Sequence, residues 1–249
     1  MYESRILSNS KRSIGVTTKF VLFLTLSFCF LSNAYPQSIE TIRVELTREV
    51  TEEESTEVTK GTIFYQAPQI IVLKITEPIY QWMMFDGNSM RIYYPNERKA
   101  FYFNSETPFS LPFFQVFLEA AKPGFELTEV GFTLERNQVK EDTLFTYWIP
   151  PKQLKNEVEN AILALAQDRL VFVELQDTEG KRLARTTYSQ HFQYGEAFFP
   201  LEIVKVRYHD NSSTVEKTIY SNPQFNIPLS EEALDMKIPA DVEVEEIEW

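Results

Sequence analysis

Residues 83–95 read MMFDGNSMRIYYP, two apolar arms around Asp86-Gly87. An Asp-Gly pair between apolar runs is a strong hairpin signal, because glycine enters positive φ without a Cβ clash. The turn sets the register of the arms, and register decides which side chains share a face. With Arg91 pointing out, Met90, Ile92 and Tyr94 point in. The neighbouring segments repeat the pattern: Gln69–Thr76 and Ile79–Phe85 flank the breaker Glu77-Pro78, and Lys99–Phe103 follows a reversal at Pro95-Asn96. No long crossover helix separates these runs, so they form an antiparallel meander and a parallel sheet is not expected.

Upstream, residues 38–50 alternate Ile42, Val44 and Leu46 with Arg43 and Glu45, the period of a half-buried strand, and Glu57–Tyr65 follows the solvated turn Glu52-Glu53-Glu54. Downstream the period changes. In PFSLPFFQVFLEAAKPGFEL (108–127), Phe113, Phe114, Phe117, Leu118 and Ala121 fall on one helical face, with Pro112 suited to the first turn and Pro123-Gly124 as the stop. Strand patterns resume at Leu127–Arg136 and Thr143–Ile149. Residues 152–167 fit a helix through Leu154, Val158, Ala161, Ile162 and Leu165, and equally a strand running into a Gln167-Asp168 reversal. Arg169–Gln176, Arg182–Tyr188, Leu201–Tyr208 and Thr214–Tyr220 are further strands. Turn signals at this spacing predict an all-β sandwich or barrel of about ten strands, and no repeat or linker divides it into domains.

The 249 residues are 43% hydrophobic and 14% aromatic, a globular composition. Arg5, Lys11, Arg12 and Lys19, the apolar run from Phe20 to Leu31 and the small residues Ser32 and Ala34 have the order of a cleaved secretory signal peptide spanning 1–34. The apolar run is shorter than a membrane-spanning helix needs, and Phe28 before Cys29 departs from a lipidation signal, which needs a small residue there. Cleavage after Ala34 removes four basic residues and one acid, so the formal charge of −12 becomes −15. Such a chain repels nucleic acid and anionic surfaces. Cys29 leaves with the signal, which takes thiol and disulfide chemistry out of the mature domain, 35–249.

Signals for an enzyme are sparse. His191 and His209 have no second ligand at metal spacing, phosphate-binding glycine loops and a G-x-S-x-G elbow are absent, and the acidic runs read as solvated charge or an alternating strand. We therefore expect no catalytic residue, cofactor or metal. The remaining signal is a surplus of apolar side chains in one sheet, with Tyr65, Ile71, Leu73, Ile75, Trp82, Met84, Met90, Ile92 and Tyr94 below and Phe113, Phe114, Phe117 and Leu118 above as a lid. They make either an ordinary core or a cavity whose methionines and aromatics adapt to acyl chains.

The order of these features resembles the outer-membrane lipoprotein carrier (LolA-like) family. The shared features are GTIFYQAP from Gly61, the strand QIIVLKITEP, then FDGNSMRIYYP, an apolar helix, and the closing segment TIYSNPQFNIPLSEEALDMKIPADVEV, with Met236 where the family usually has Phe. The resemblance implies a single-domain, strongly curved, incompletely closed antiparallel β-barrel, with short helices over a hydrophobic cavity for lipoprotein acyl chains. It favours strand at 159–166, places Ile71 and Leu73 in the cavity wall and turns Lys74 outward. It also implies a periplasmic carrier, expected to be a monomer, that receives lipoproteins from an inner-membrane lipoprotein-releasing transporter and passes them to an outer-membrane acceptor. Similar domains carry other lipids or act as envelope sensors and interaction modules. The chain departs from the best-known carriers at Ala67, where they have a basic residue before the motif proline, and between Lys181 and Pro200, which is longer here.

Overall fold

A computed structural model describes residues 38–121, 127–128 and 131–248. The leader read at 1–34 and the helix stop at Pro123-Gly124 lie outside the described residues. Fourteen strands form one open, curved sheet among the described residues, more than the ten expected. In chain order they are β1 (Thr41–Glu52), β2 (Ser55–Gln66), β3 (Ile70–Glu77), β4 (Gln81–Asp86), β5 (Ser89–Tyr94), β6 (Lys99–Asn104), β7 (Thr133–Lys140), β8 (Thr143–Ile149), β9 (Asn160–Ala166), β10 (Arg169–Gln176), β11 (Arg182–Tyr194), β12 (Ala197–Tyr208), β13 (Ser213–Phe225) and β14 (Glu243–Glu248). Among the described residues two short helices accompany them, α1 (Pro112–Glu119) and α2 (Glu231–Leu234).

Across the sheet the order is β14-β6-β5-β4-β3-β2-β1-β13-β12-β11-β10-β9-β8-β7, so β14 and β7 are free edges and the barrel stays open. Every pairing is antiparallel except β14 with β6. That parallel pair corrects the wholly antiparallel expectation. The long return from β6 through the rest of the chain supplies the crossover that parallel pairing requires. The alternating acids of residues 241–248 thus belong to a strand whose Val244 pairs with Ala100 and whose Ile247 pairs with Phe103.

Turn chemistry explains the hairpins. Between Asp86 and Ser89, Gly87 stands at φ 56° as the first of two loop residues, the place where a tight hairpin turn wants glycine. Gln167 and Asp168 both take positive φ, 52° and 61°, and reverse β9 into β10, so the ambiguous 152–167 stretch holds a strand at its end. Gly61 answers to a different need. A Cβ there would stand 2.5 Å from the carbonyl oxygen of Lys74 on β3, so only glycine lets β2 and β3 approach this closely.

The sheet buries side chains on both faces. The inner face, covered by α1, holds one cluster that includes Ile42, Val44, Leu46, Ile63, Leu73, Phe85, Leu163, Phe199 and Tyr220. On the outer face Val72, Met84, Tyr93 and Ala100 pack with Met236 and Val242, so the C-terminal segment straps the back of the meander. Lys74 closes this strap: its Nζ lies 4.2 Å from the Trp82 ring centre and 5.3 Å from that of Phe64, and donates to the Glu232 carbonyl at 2.9 Å.

Candidate functional site

Cross-strand register decides which of the expected cavity residues come together. Tyr65 pairs with Ile71, Ile71 with Phe85, and Phe85 with Met90, while Leu73 pairs with Met83, Met83 with Ile92, and Ile92 with Phe101. Directly opposed residues share a face. Tyr65, Ile71, Leu73, Ile75, Met90, Ile92 and Tyr94 therefore stand on the inner face. Arg91 faces outward opposite Met84, as the hairpin register requires.

Trp82 and Met84 do not join them. Both belong to the outer cluster under the C-terminal strap, and Trp82 pairs with Tyr93. The inner residues of β4 are Met83 and Phe85, one position away in each case. Both faces of this strand are covered, so hydrophobicity alone does not mark the inner one.

Helix α1 lies across the inner face. Phe114 and Phe117 are fully buried, whereas Phe113, Val116 and Leu118 are partly buried against the same cluster. Phe114 meets the edge of Tyr65 at 5.9 Å and stacks on Phe117 at 5.7 Å. Phe117 in turn touches Tyr220 at 4.4 Å and Phe199 at 5.1 Å. Phe199 continues the ring chain to Phe225 at 4.6 Å. Burying a side chain of this size stabilises by about 1.5–3 kcal/mol. The phenol of Tyr220 also donates to the Phe113 carbonyl at 2.8 Å, and burial holds its pKa far above the ordinary range.

Beside α1 the inner face opens into a cleft of about 340 Å³ lined by Arg48, Pro112, Phe113, Val116, Thr186, Ile203, Lys205, Arg207, Glu216 and Thr218. Where a hydrophobic cavity under the helix was expected, Phe114 and Phe117 are fully buried against the sheet, and the open space is instead a cleft of mixed character at the helix flank. Sequence reasoning did not find it, because its lining comes from β1, α1, β11, β12 and β13. Arg48 pairs with Glu216 at 2.7 Å and lies over the Phe113 ring at 5.6 Å. Desolvation lowers the pKa of Lys205; neighbouring Arg207 and Arg48 act in the same direction and Glu216 opposes them.

Among the described residues no group of three or more His, Cys, Asp and Glu is placed to hold a metal ion, and no helix is long and apolar enough to cross a membrane. His191 donates from Nε2 to the Leu170 carbonyl, 3.0 Å away, and His209 pairs with Thr214, so both histidines make local contacts.

Comparison of the sequence with family models and with curated proteins finds no match. Comparison of the structure does. An outer membrane lipoprotein-sorting protein domain from Vibrio parahaemolyticus superimposes with a TM-score of 0.50 at 11% identity, covering 80% of this chain and 91% of that one. A DUF1329 family protein from Desulfovibrio piger gives 0.51 at 11% identity over 88% and 99% of the two chains. A LolA superfamily protein from Nitrosomonas europaea gives 0.48 at 13% identity over 81% and 92%. The chain shares the fold of the lipoprotein-sorting domain and the DUF1329 family protein. Within this fold, the inner face and its helix are the parts built from apolar side chains that meet across many strands, which makes them the candidate functional site.

Proposed function

We propose that the protein is a periplasmic carrier that takes acyl chains of lipoproteins or other lipids onto its inner face and delivers them toward the outer membrane. The observation that carries this reading is the way α1 is held. The helix has eight residues, no side-chain cap at its N-terminus, no acid in its first turn and no base in its last. Helices this short are not stable alone, so contact with the sheet keeps it folded. That contact is made chiefly by Phe113, Phe114 and Phe117, together with Val116, Leu118 and a hydrogen bond from Tyr220. Acyl methylenes, each worth roughly 0.8 kcal/mol when buried, supply the same kind of contact and can take the place of the rings.

The leader read at 1–34 supports export, and the LolA-like fold supports a lipid cargo. An inner-membrane lipoprotein-releasing transporter and an outer-membrane acceptor are the partners this role calls for, with the carrier itself acting as a monomer. Native mass spectrometry of the protein isolated gently from an envelope extract tests the reading. Adducts with the masses of acyl lipids are expected. Adduct-free protein that also takes up no lipid from vesicles would contradict the carrier role and leave the fold as an envelope sensor or interaction module.

A further inference from the structure

The cleft beside α1 carries a charge opposite to that of the chain. Three cations, Arg48, Lys205 and Arg207, line it against one carboxylate, Glu216, in a protein whose formal net charge is −12. Glu216 is engaged by Arg48 at 2.7 Å. Lys205 and Arg207 form no salt bridge with any described residue, although Lys205 is the cross-strand neighbour of Glu216. These two cations reach the cleft because β12 presents Ile203, Lys205 and Arg207 on one face. Ile203 is buried in the inner cluster, so that face is the inner one. Lys205 is only partly exposed, and burial disfavours its charge more than Glu216 supports it. An anion brought beside this cation offsets that cost.

Apart from Thr186 and Thr218, the rest of the lining is apolar. Phe113, Val116 and Ile203 form a wall that belongs to the same cluster as Phe114 and Phe117. Cations and an acyl-compatible surface are therefore contiguous, with no intervening strand.

We propose that this cleft binds the oxyanion headgroup of an amphiphile, with Lys205 and Arg207 as its ligands and Arg48 as a positioning residue fixed by Glu216, while the acyl chain passes Phe113 and Val116 onto the inner face beneath α1. The inference rests on the acyl-carrier reading and narrows it to a cargo with a phosphate or carboxylate beside its chain. Guanidinium and ammonium groups make strong charge-assisted hydrogen bonds to such oxygens, and the aliphatic stems of both residues extend the apolar wall.

The test compares three probes on the purified protein by titration calorimetry: dodecyl phosphate, dodecanol and inorganic phosphate. Dodecyl phosphate is expected to bind at least about tenfold tighter than dodecanol, with inorganic phosphate too weak to compete, as charge-assisted contacts added to a shared chain require. Combining Lys205→Met with Arg207→Gln should remove that preference, so that dodecyl phosphate binds the variant no tighter than dodecanol does. Lys205→Arg should retain the preference and show that charge, not the lysine itself, is needed. Equal affinity of the wild type for dodecyl phosphate and dodecanol overturns the headgroup site while leaving the acyl reading intact. Failure of both amphiphiles to bind overturns the acyl reading and this inference with it. Inorganic phosphate binding as tightly as dodecyl phosphate would assign the cleft to a free anion and overturn the lipid assignment.

Discussion

The phenol of Tyr220 on β13 donates a hydrogen bond of 2.8 Å to the carbonyl oxygen of Phe113 on α1, joining residues 107 positions apart. It is a directional tie in a contact made largely by aromatic and aliphatic side chains. Tyr220→Phe keeps the ring packed against Phe117 and removes only the tie. We expect a loss of about 0.5–1.5 kcal/mol, the usual net worth of a hydrogen bond, read as a lower urea midpoint at unchanged slope. Uptake of an acyl probe should become faster, because α1 leaves the sheet more easily. Unchanged stability would show that the bond contributes nothing to holding the helix.

Lys205 separates a binding role from a structural one. Its pKa is lowered by burial, so its charge does not gain from folding. Lys205→Met should therefore leave stability within about 0.5 kcal/mol of wild type or raise it, as for substitutions that break no favourable contact. A marked fall in the melting temperature would mean that the ammonium holds the fold together.

His191 gives a pH dependence with a definite sign. Desolvation lowers its pKa from 6.5; the hydrogen bond to Leu170 pulls the other way, and Arg169 lowers it further. The unfolded chain then takes up a proton at a higher pH than the folded one. Stability from this group is fully present above pH 6.5 and declines as pH falls from there toward the lower folded-state pKa. Denaturation midpoints measured from pH 7.5 to 5 should fall more steeply for the wild type than for His191→Gln. Parallel curves would show that His191 titrates alike in both states.

The meander and its register were legible in the sequence because each strand carries local marks. Arg91 fixed the outward side of β5, and Asp86-Gly87 fixed its turn. Trp82 and Met84 were placed wrongly because β4 is covered twice, by α1 and its cluster on one face and by the C-terminal strap on the other. A strand buried on both faces loses the alternation that tells in from out. The cleft was hidden for a related reason. On β12 buried Ile203 shares its face with Lys205 and Arg207, while Val206 pairs with Arg185, so aliphatic residues stand on both faces and no alternation marks the inner one. Arg48 and Glu216 meet across 168 positions of sequence, a proximity no local pattern carries. The partner of the last strand was equally hidden, because β14 finds β6 only after the whole sheet is built.

Exchange of acyl contact for ring contact at α1 is the central claim, and amide hydrogen exchange across residues 112–121, with and without saturating dodecyl phosphate, tests it most directly. The account predicts that amides of α1 lose protection when the amphiphile binds, while those of β1, β2 and β3 keep theirs. Binding that leaves α1 as protected as before would contradict it.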